Sequence, residues 1–190
     1  MQRIVTLCAS MTLLALMPAA HAATLEIAVG NDMVSAELAA DSSFVGIGGA
    51  EFSLGGLIND DDDRMLSLGL LSRAPPTADN PFAAALGVKL FAADIDEADA
   101  DSRALTLGLE LMHHIPARWP MAIGGRVFYA PNITTWGDGK NFLETGARFE
   151  INFLPNTTAF LGYRRISTKL EIGGTHEIDD ATHLGIRIQF

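Results

Sequence analysis

The ionisable side chains of this chain recur at alternate positions rather than in compact clusters. Glu144, Arg148 and Glu150 share one parity in "LETGARFEINF". Lys89 holds the equivalent place in "ALGVKL", Glu110 in "ALTLGLELM", Arg126 in "MAIGGRVFY", and His183 with Arg187 in "HLGIRIQF". Glu26, Glu37, Glu51 and Arg164 belong to the same set. Acids and bases so spaced can neutralise one another, line a path for ions, or act as acid and base. Nucleophilic catalysis needs more: a histidine beside a serine or a comparable nucleophile. His113 and His114 fall at a turn beside Pro116, Arg118 and Trp119, and His176 lies among Glu177, Asp179 and Asp180 with no adjacent serine. No catalytic set and no cofactor is implied. Asp60, Asp61, Asp62 and Asp63 offer oxygen ligands to a divalent cation, but EF-hand spacing with its Glu at position 12 is missing. A solvated, self-repelling loop is the simpler reading of that run.

These charges must be carried on strands, because period-two alternation dominates the body of the chain. Leu105, Leu107, Leu109 and Leu111 oppose Thr106, Gly108 and Glu110. Leu184, Ile186, Ile188 and Phe190 oppose His183, Gly185, Arg187 and Gln189. One face of each strand meets an apolar medium and the other a polar one. The pattern predicts strands near 24–30, 33–39, 44–54, 65–72, 82–92, 103–113, 120–130, 142–153, 157–167 and 181–190, ten in all, or eight if the first pair is absent or forms a plug.

Residues 1–22 read differently. Arg3 precedes an apolar run from Ile4 to Met17, Pro18 breaks it, and Ala20-His21-Ala22 offers an A-x-A cleavage site. This is the pattern of a secretory signal peptide. Residues 23–190 then form one domain. The only cysteine, Cys8, lies in the leader, so a disulfide scaffold is excluded. A net charge of −10 excludes a nucleic-acid partner, which would need a basic face.

Alternation suits a soluble sandwich with its apolar face inward, and equally a membrane barrel with its apolar face outward. Three features favour the barrel. The polar faces carry long charges and glycine at mid-strand. The predicted strands are long enough to cross a bilayer when tilted. The connections also alternate: acidic ones such as "INDDDDRM", "ADIDEADADS" and "KLEIGGTHEIDDA" interleave with proline-bearing ones such as "SRAPPTADNP" and "HHIPARWP". An all-β, up-and-down antiparallel transmembrane barrel of even strand count is therefore expected, with the acidic loops outside.

The closing "HLGIRIQF" resembles the C-terminal signature of bacterial outer-membrane barrels, in which a terminal aromatic, here Phe190, is read by the barrel-assembly machinery. A more specific likeness runs through "FYAPNITTWGDGKNFLETGARFEINFLPNTTAFLGYRRI". Phe128-Tyr129-Ala130-Pro131, Gly137-Asp138, the Glu144 to Arg148 spacing, Leu154-Pro155-Asn156 and Gly162-Tyr163-Arg164 resemble the YfaZ family of predicted outer-membrane proteins. The resemblance implies a barrel and a location, and no reaction. Outer-membrane lipid, including lipopolysaccharide, and the assembly machinery are the implied partners of a single-chain barrel.

By parity the inward set is Glu26, Glu37, Glu51, Glu110, Glu144 and Glu150 against Lys89, Arg126, Arg148, Arg164 and Arg187, with His183 nearby. Eight to ten strands enclose a space that side chains largely fill. A salt-bridged core with a structural or interaction role is the primary expectation. An ion or small-solute channel and a rim-located enzyme are the alternatives.

Overall fold

The computed structural model describes residues 23–42, 49–96, 98–171 and 174–190. The predicted signal peptide lies outside the described residues. Eleven strands form one antiparallel sheet. They are β1 (Ala23–Gly30), β2 (Met33–Asp41), β3 (Ala50–Asn59), β4 (Arg64–Ala74), β5 (Phe82–Ile95), β6 (Ala100–Ile115), β7 (Met121–Ala130), β8 (Thr135–Gly137), β9 (Gly139–Leu154), β10 (Thr157–Leu170) and β11 (Thr175–Gln189). Each long strand pairs with its chain neighbours, with β7 pairing directly with β9. β1 pairs with β11 from Thr24↔Gln189 to Gly30↔His183 and so closes a ten-stranded barrel. The three-residue β8 stands outside this ring as a flap hydrogen-bonded to β6 at Ser102–Ala104. Closure leaves no strand edge to be satisfied in lipid.

Several predicted boundaries shift, among them the start of the closing strand, which is Thr175 rather than residue 181. The strand expected at 44–54 is β3 at Ala50–Asn59, and residues 43–48 lie outside the described set. Gly55 and Gly56 hide the period there, yet both continue the strand. The acidic connections are also shorter than expected, because the strands run into them. β5 extends to Ile95 and β6 begins at Ala100, so most of "ADIDEADADS" is ladder. The connections differ by end in composition rather than in length. The end holding the turns at 31–32, 60–63, 96–99, 131–138 and 171–174 is rich in aspartate. The opposite end holds Ala23 and Gln189 and the proline-bearing turns at 75–81, 116–120 and 155–156.

The exterior is apolar around the whole circumference. Leu66, Leu107 and Leu184, from opposite parts of the ring, are 64%, 64% and 62% exposed. Val34, Leu86, Ile123 and Leu161 continue the belt between them. A water-soluble domain does not leave such a contiguous surface bare. The alternating partners of these residues point inward, so the barrel has its apolar face toward lipid and its charges inside.

Candidate functional site: a charged vestibule above an apolar seal

The barrel interior is divided along its axis. Toward the aspartate-rich end it is filled by Met33, Leu57, Met65, Phe91, Phe128, Phe142, Ile166 and Ile178, all buried in one apolar cluster. Every long strand except β1 contributes to that cluster. Phe91 and Phe142 stack with ring centroids 4.5 Å apart, and Phe128 lies under the Lys89 ammonium, with Nζ 4.8 Å from the ring centroid. Phe128 fits because its cross-strand partner is Gly108. A Cβ there would sit 2.0 Å from the Phe128 ring.

One β-bulge shapes this layer. The β10–β11 register shifts between Ile166 and Ser167, where Ile166 pairs with Asp179 and Ser167 with Glu177. Ile178 is the extra residue, and both it and Asp179 are buried. A bulge re-aims side chains by breaking the two-residue period. Here it sends Ile178 into the apolar layer and leaves Asp179 free to bind Arg164.

Above the layer, at the aspartate-rich rim, a polar knot ties three turns together. The fully buried Asp63 carboxylate lies 2.8 Å from His176 Nε2 and accepts the Asp96 N–H at 3.0 Å. Asn59 Nδ2 donates to the Ile178 carbonyl at 3.0 Å, and the Asn59 side-chain oxygen accepts the Asp63 N–H at 2.8 Å. Asp63 is thus committed to protein partners, while Asp60, Asp61 and Asp62 are exposed, and Asp62 takes a left-handed φ of 63° in the turn. Among the described residues no group of three or more acids, histidines or cysteines is placed to hold a metal ion.

Below the apolar layer the interior is ionic. Arg148 reaches across the lumen from β9 to β1, where its guanidinium donates to both Glu26 oxygens at 2.6 and 3.2 Å. Arg187 contacts Glu26 and Glu150, each at 3.0 Å. Arg126 meets Glu144 at 2.6 Å, Lys89 meets Glu37 at 3.5 Å, and Arg164 donates through Nε to Asp179 at 2.6 Å. Glu26 and Arg187 pair as direct cross-strand neighbours, but other pairs do not follow sequence spacing. Arg164 binds Asp179 rather than Glu144, and Arg148 binds Glu26 three strands away in the ring. Arg73 holds Glu51 at 2.7 Å and Glu110 at 3.0 Å and was not among the parity-selected residues, since it lies past the predicted strand end. Asp179 was also missed, being hidden in a stretch read as loop. His183 packs against the edge of Phe160, 6.0 Å between centroids, and fills the notch left by Gly162. At the strand closing the barrel, the Phe190 N–H donates to the Ala23 carbonyl at 2.9 Å, and the Phe190 ring is 71% exposed.

These charges do not fill their half of the lumen. A cavity of about 260 Å³ remains, lined by Glu26, Glu37, Arg126, Arg148, Arg164 and Arg187 among others, with Thr24 and Gln189 toward its mouth. A second, of about 30 Å³, lies against Met65 and Phe91 of the apolar layer and shares Glu37, Arg126 and Arg164 with the first. The interior is therefore a vestibule at the end of the barrel where β1 begins and β11 ends, with an apolar floor.

A closed antiparallel barrel with lipid-facing leucines and a charged interior spans a membrane, and this one is an outer-membrane β-barrel. Over residues 1–190 the sequence matches the family profile described as YfaZ precursor, and the chain belongs to the YfaZ family. Among solved structures it is similar to a bacterial polysaccharide outer-membrane secretin, with 12% identity, a TM-score of 0.47, and 86% of this chain covering 57% of that one. It thus spans little more than half of that protein. It is also similar to the KdgM porin solved in complex with disordered oligogalacturonate, at 7% identity and a TM-score of 0.48, with 89% and 99% of the two chains covered. The NanC porin aligns at 11% identity and a TM-score of 0.39, with 90% and 99% covered. No curated protein matches the sequence.

Proposed function

We propose that this protein is a sealed outer-membrane barrel with a structural or interaction role, and that it does not conduct solutes in the form described. The observation that carries the reading is the aromatic floor: Phe91, Phe128 and Phe142 are each at most 2% exposed inside the lumen. An apolar layer several side chains across excludes water, and ions do not cross a dewetted constriction. The ion pairs beneath it neutralise one another and add no open path. The belt and rim are then the working surfaces, facing lipid and lipopolysaccharide, with the aspartate-rich turns outside the cell.

Planar-bilayer recording tests the reading. The wild-type barrel is expected to give no steady conductance, and Phe91→Ala combined with Phe142→Ala to give a measurable one. A steady wild-type conductance that the double substitution leaves unchanged overturns the proposal. The alternative is a small-solute channel gated at the floor, and the specific observation favouring it is the vestibule of about 260 Å³. In that case wild-type conductance would appear intermittently and would be prolonged by the same substitutions.

A further inference from the structure

Most charges around the vestibule are sorted by wall, with Arg73 on β4, Glu110 on β6 and Glu150 on β9 as the exceptions. The adjacent strands β7, β9, β10 and β11 each send one arginine to its lining: Arg126, Arg148, Arg164 and Arg187. The adjacent strands β1, β2 and β3 send Glu26, Glu37 and Glu51. Pairing across the space is uneven. Glu26 is saturated by Arg148 and Arg187. Among the described residues Arg126 has a single carboxylate in ion-pair reach, Glu144 at 2.6 Å. Among the described residues Arg164 uses Nε on Asp179 and otherwise donates only toward the Met33 sulfur, at 3.8 Å. A guanidinium carries five N–H donors, so both arginines retain donors not used by protein acceptors. On the facing wall Glu37 has one long contact, 3.5 Å to Lys89, and its side chain is 31% exposed. Arg126, Arg164 and Glu37 line both the vestibule and the small cavity beneath it, so spare donors and a spare acceptor converge at the floor.

We propose that this floor binds a small zwitterion of the α-amino-acid type, its carboxylate on Arg126 and Arg164 and its ammonium on Glu37. Charge balance selects this class. The cavity lining holds Glu26, Glu37, Glu51, Glu110 and Glu150 against Arg73, Arg126, Arg148, Arg164 and Arg187, a sum of zero. A net anion or cation gains nothing from such a lining at long range. A molecule with both charges gains at both walls, and the fixed pairs around it are already oriented. Charge-assisted hydrogen bonds in a space bounded by apolar side chains and lipid are stronger than in water. The volume suits the class as well, since about 260 Å³ is many times the ~10–15 Å³ that one water needs on the same measure. That leaves room for a small amino acid and part of its hydration.

The test uses the full folded barrel in detergent micelles and three probes of nearly equal size: L-alanine, L-lactate (an anion, with a hydroxyl in place of the ammonium) and L-alaninamide (a cation). Binding is followed by calorimetric titration or by shifts in the barrel's NMR spectrum. Alanine is expected to bind at least about tenfold more tightly than either single-charge probe, the usual consequence of losing one charge-assisted hydrogen bond. Glu37→Gln, which keeps an acceptor for Lys89, should reverse the order so that L-lactate binds at least as well as alanine. Absence of binding by all three, equal binding of all three, or an unchanged order in Glu37→Gln overturns the proposal. The wild-type comparison needs no variant to fold, and none of the arms depends on whether the floor conducts.

Discussion

The two halves of the lumen are built on the same strands with the same alternation, yet they close space by opposite means. In the half toward the aspartate-rich turns, β5, β7 and β9 point Phe91, Phe128 and Phe142 inward, where they are buried in one apolar cluster. Only two residues further along the same faces, Lys89, Arg126 and Glu144 replace them, and beyond these the lumen opens into a vestibule. The difference shows what each kind of side chain needs. Apolar groups need volume filled, which short-range packing supplies and glycine notches such as Gly108 permit. Charged groups need partners more than contact. Long arginines reach those partners across open space, as Arg148 does to Glu26, and so hold the wall charges in place without occupying the interior.

The ionic half should therefore fail when a partner is lost, and this is the largest effect expected. Arg126→Ala leaves Glu144 buried with one oxygen already lacking a hydrogen-bond partner. Breaking a buried pair typically costs ~3–5 kcal/mol. Removing both ends avoids the stranded charge, so Arg126→Ala combined with Glu144→Ala should recover much of that loss. Thermal unfolding, read by the gel-mobility shift of folded against unfolded barrel, checks both variants. A double variant as unstable as the single one would mean that packing, and not the unpaired carboxylate, sets the cost.

The apolar half should instead respond to volume. Gly108→Ala places a Cβ 2.0 Å from the Phe128 ring. Overpacking of this kind costs ~1–3 kcal/mol, and Phe128→Leu should relieve part of it, because residues in contact are not additive. The same melting assay reads the cycle. Strict additivity of Gly108→Ala and Phe128→Leu would show that the ring can move aside and that the layer is loosely packed.

Much of this architecture was legible in the chain. Alternation reached part of every long strand, though it set β3 too early and began β11 too late, and parity put Lys89, Arg126, Glu144, Arg148 and Arg187 on the face that lines the lumen. The floor was harder to see, because charge drew the eye while Phe91 and Phe142 occupy the same parity without any. Phe128, opposite Ile123 and Val127 in "MAIGGRVFY", was a visible signal that a lumen face carried an aromatic. Ile178 and His176 could not be placed by parity at all, since the bulge shifts the count between Asp179 and Glu177. The ion-pair map was also out of reach. Strand register fixes which residues are neighbours, but Arg148 passes over two strands to find Glu26, and Asp179 takes Arg164 from the side of a predicted loop.

Which half faces the cell exterior is the remaining term of the comparison, and it can be read with variants that leave stability almost untouched. Asp61 and Ala98 are exposed in turns at the sealed end, and Ala117 is exposed in a turn at the vestibule end. None of the three makes a hydrogen bond or ion pair through its side chain, so single substitution to cysteine should shift the melting point very little. Residues 23–190 contain no cysteine of their own. With the barrel expressed in intact cells, a membrane-impermeant maleimide should label cysteines at 61 and 98 and leave one at 117 unlabelled until the outer membrane is permeabilised. That outcome places the seal outward and the vestibule toward the periplasm, where the mouth lined by Thr24 and Gln189 would sample periplasmic solutes. Labelling at 117 with silence at 61 and 98 would turn the molecule over, and the arginine and glutamate walls would then face the medium.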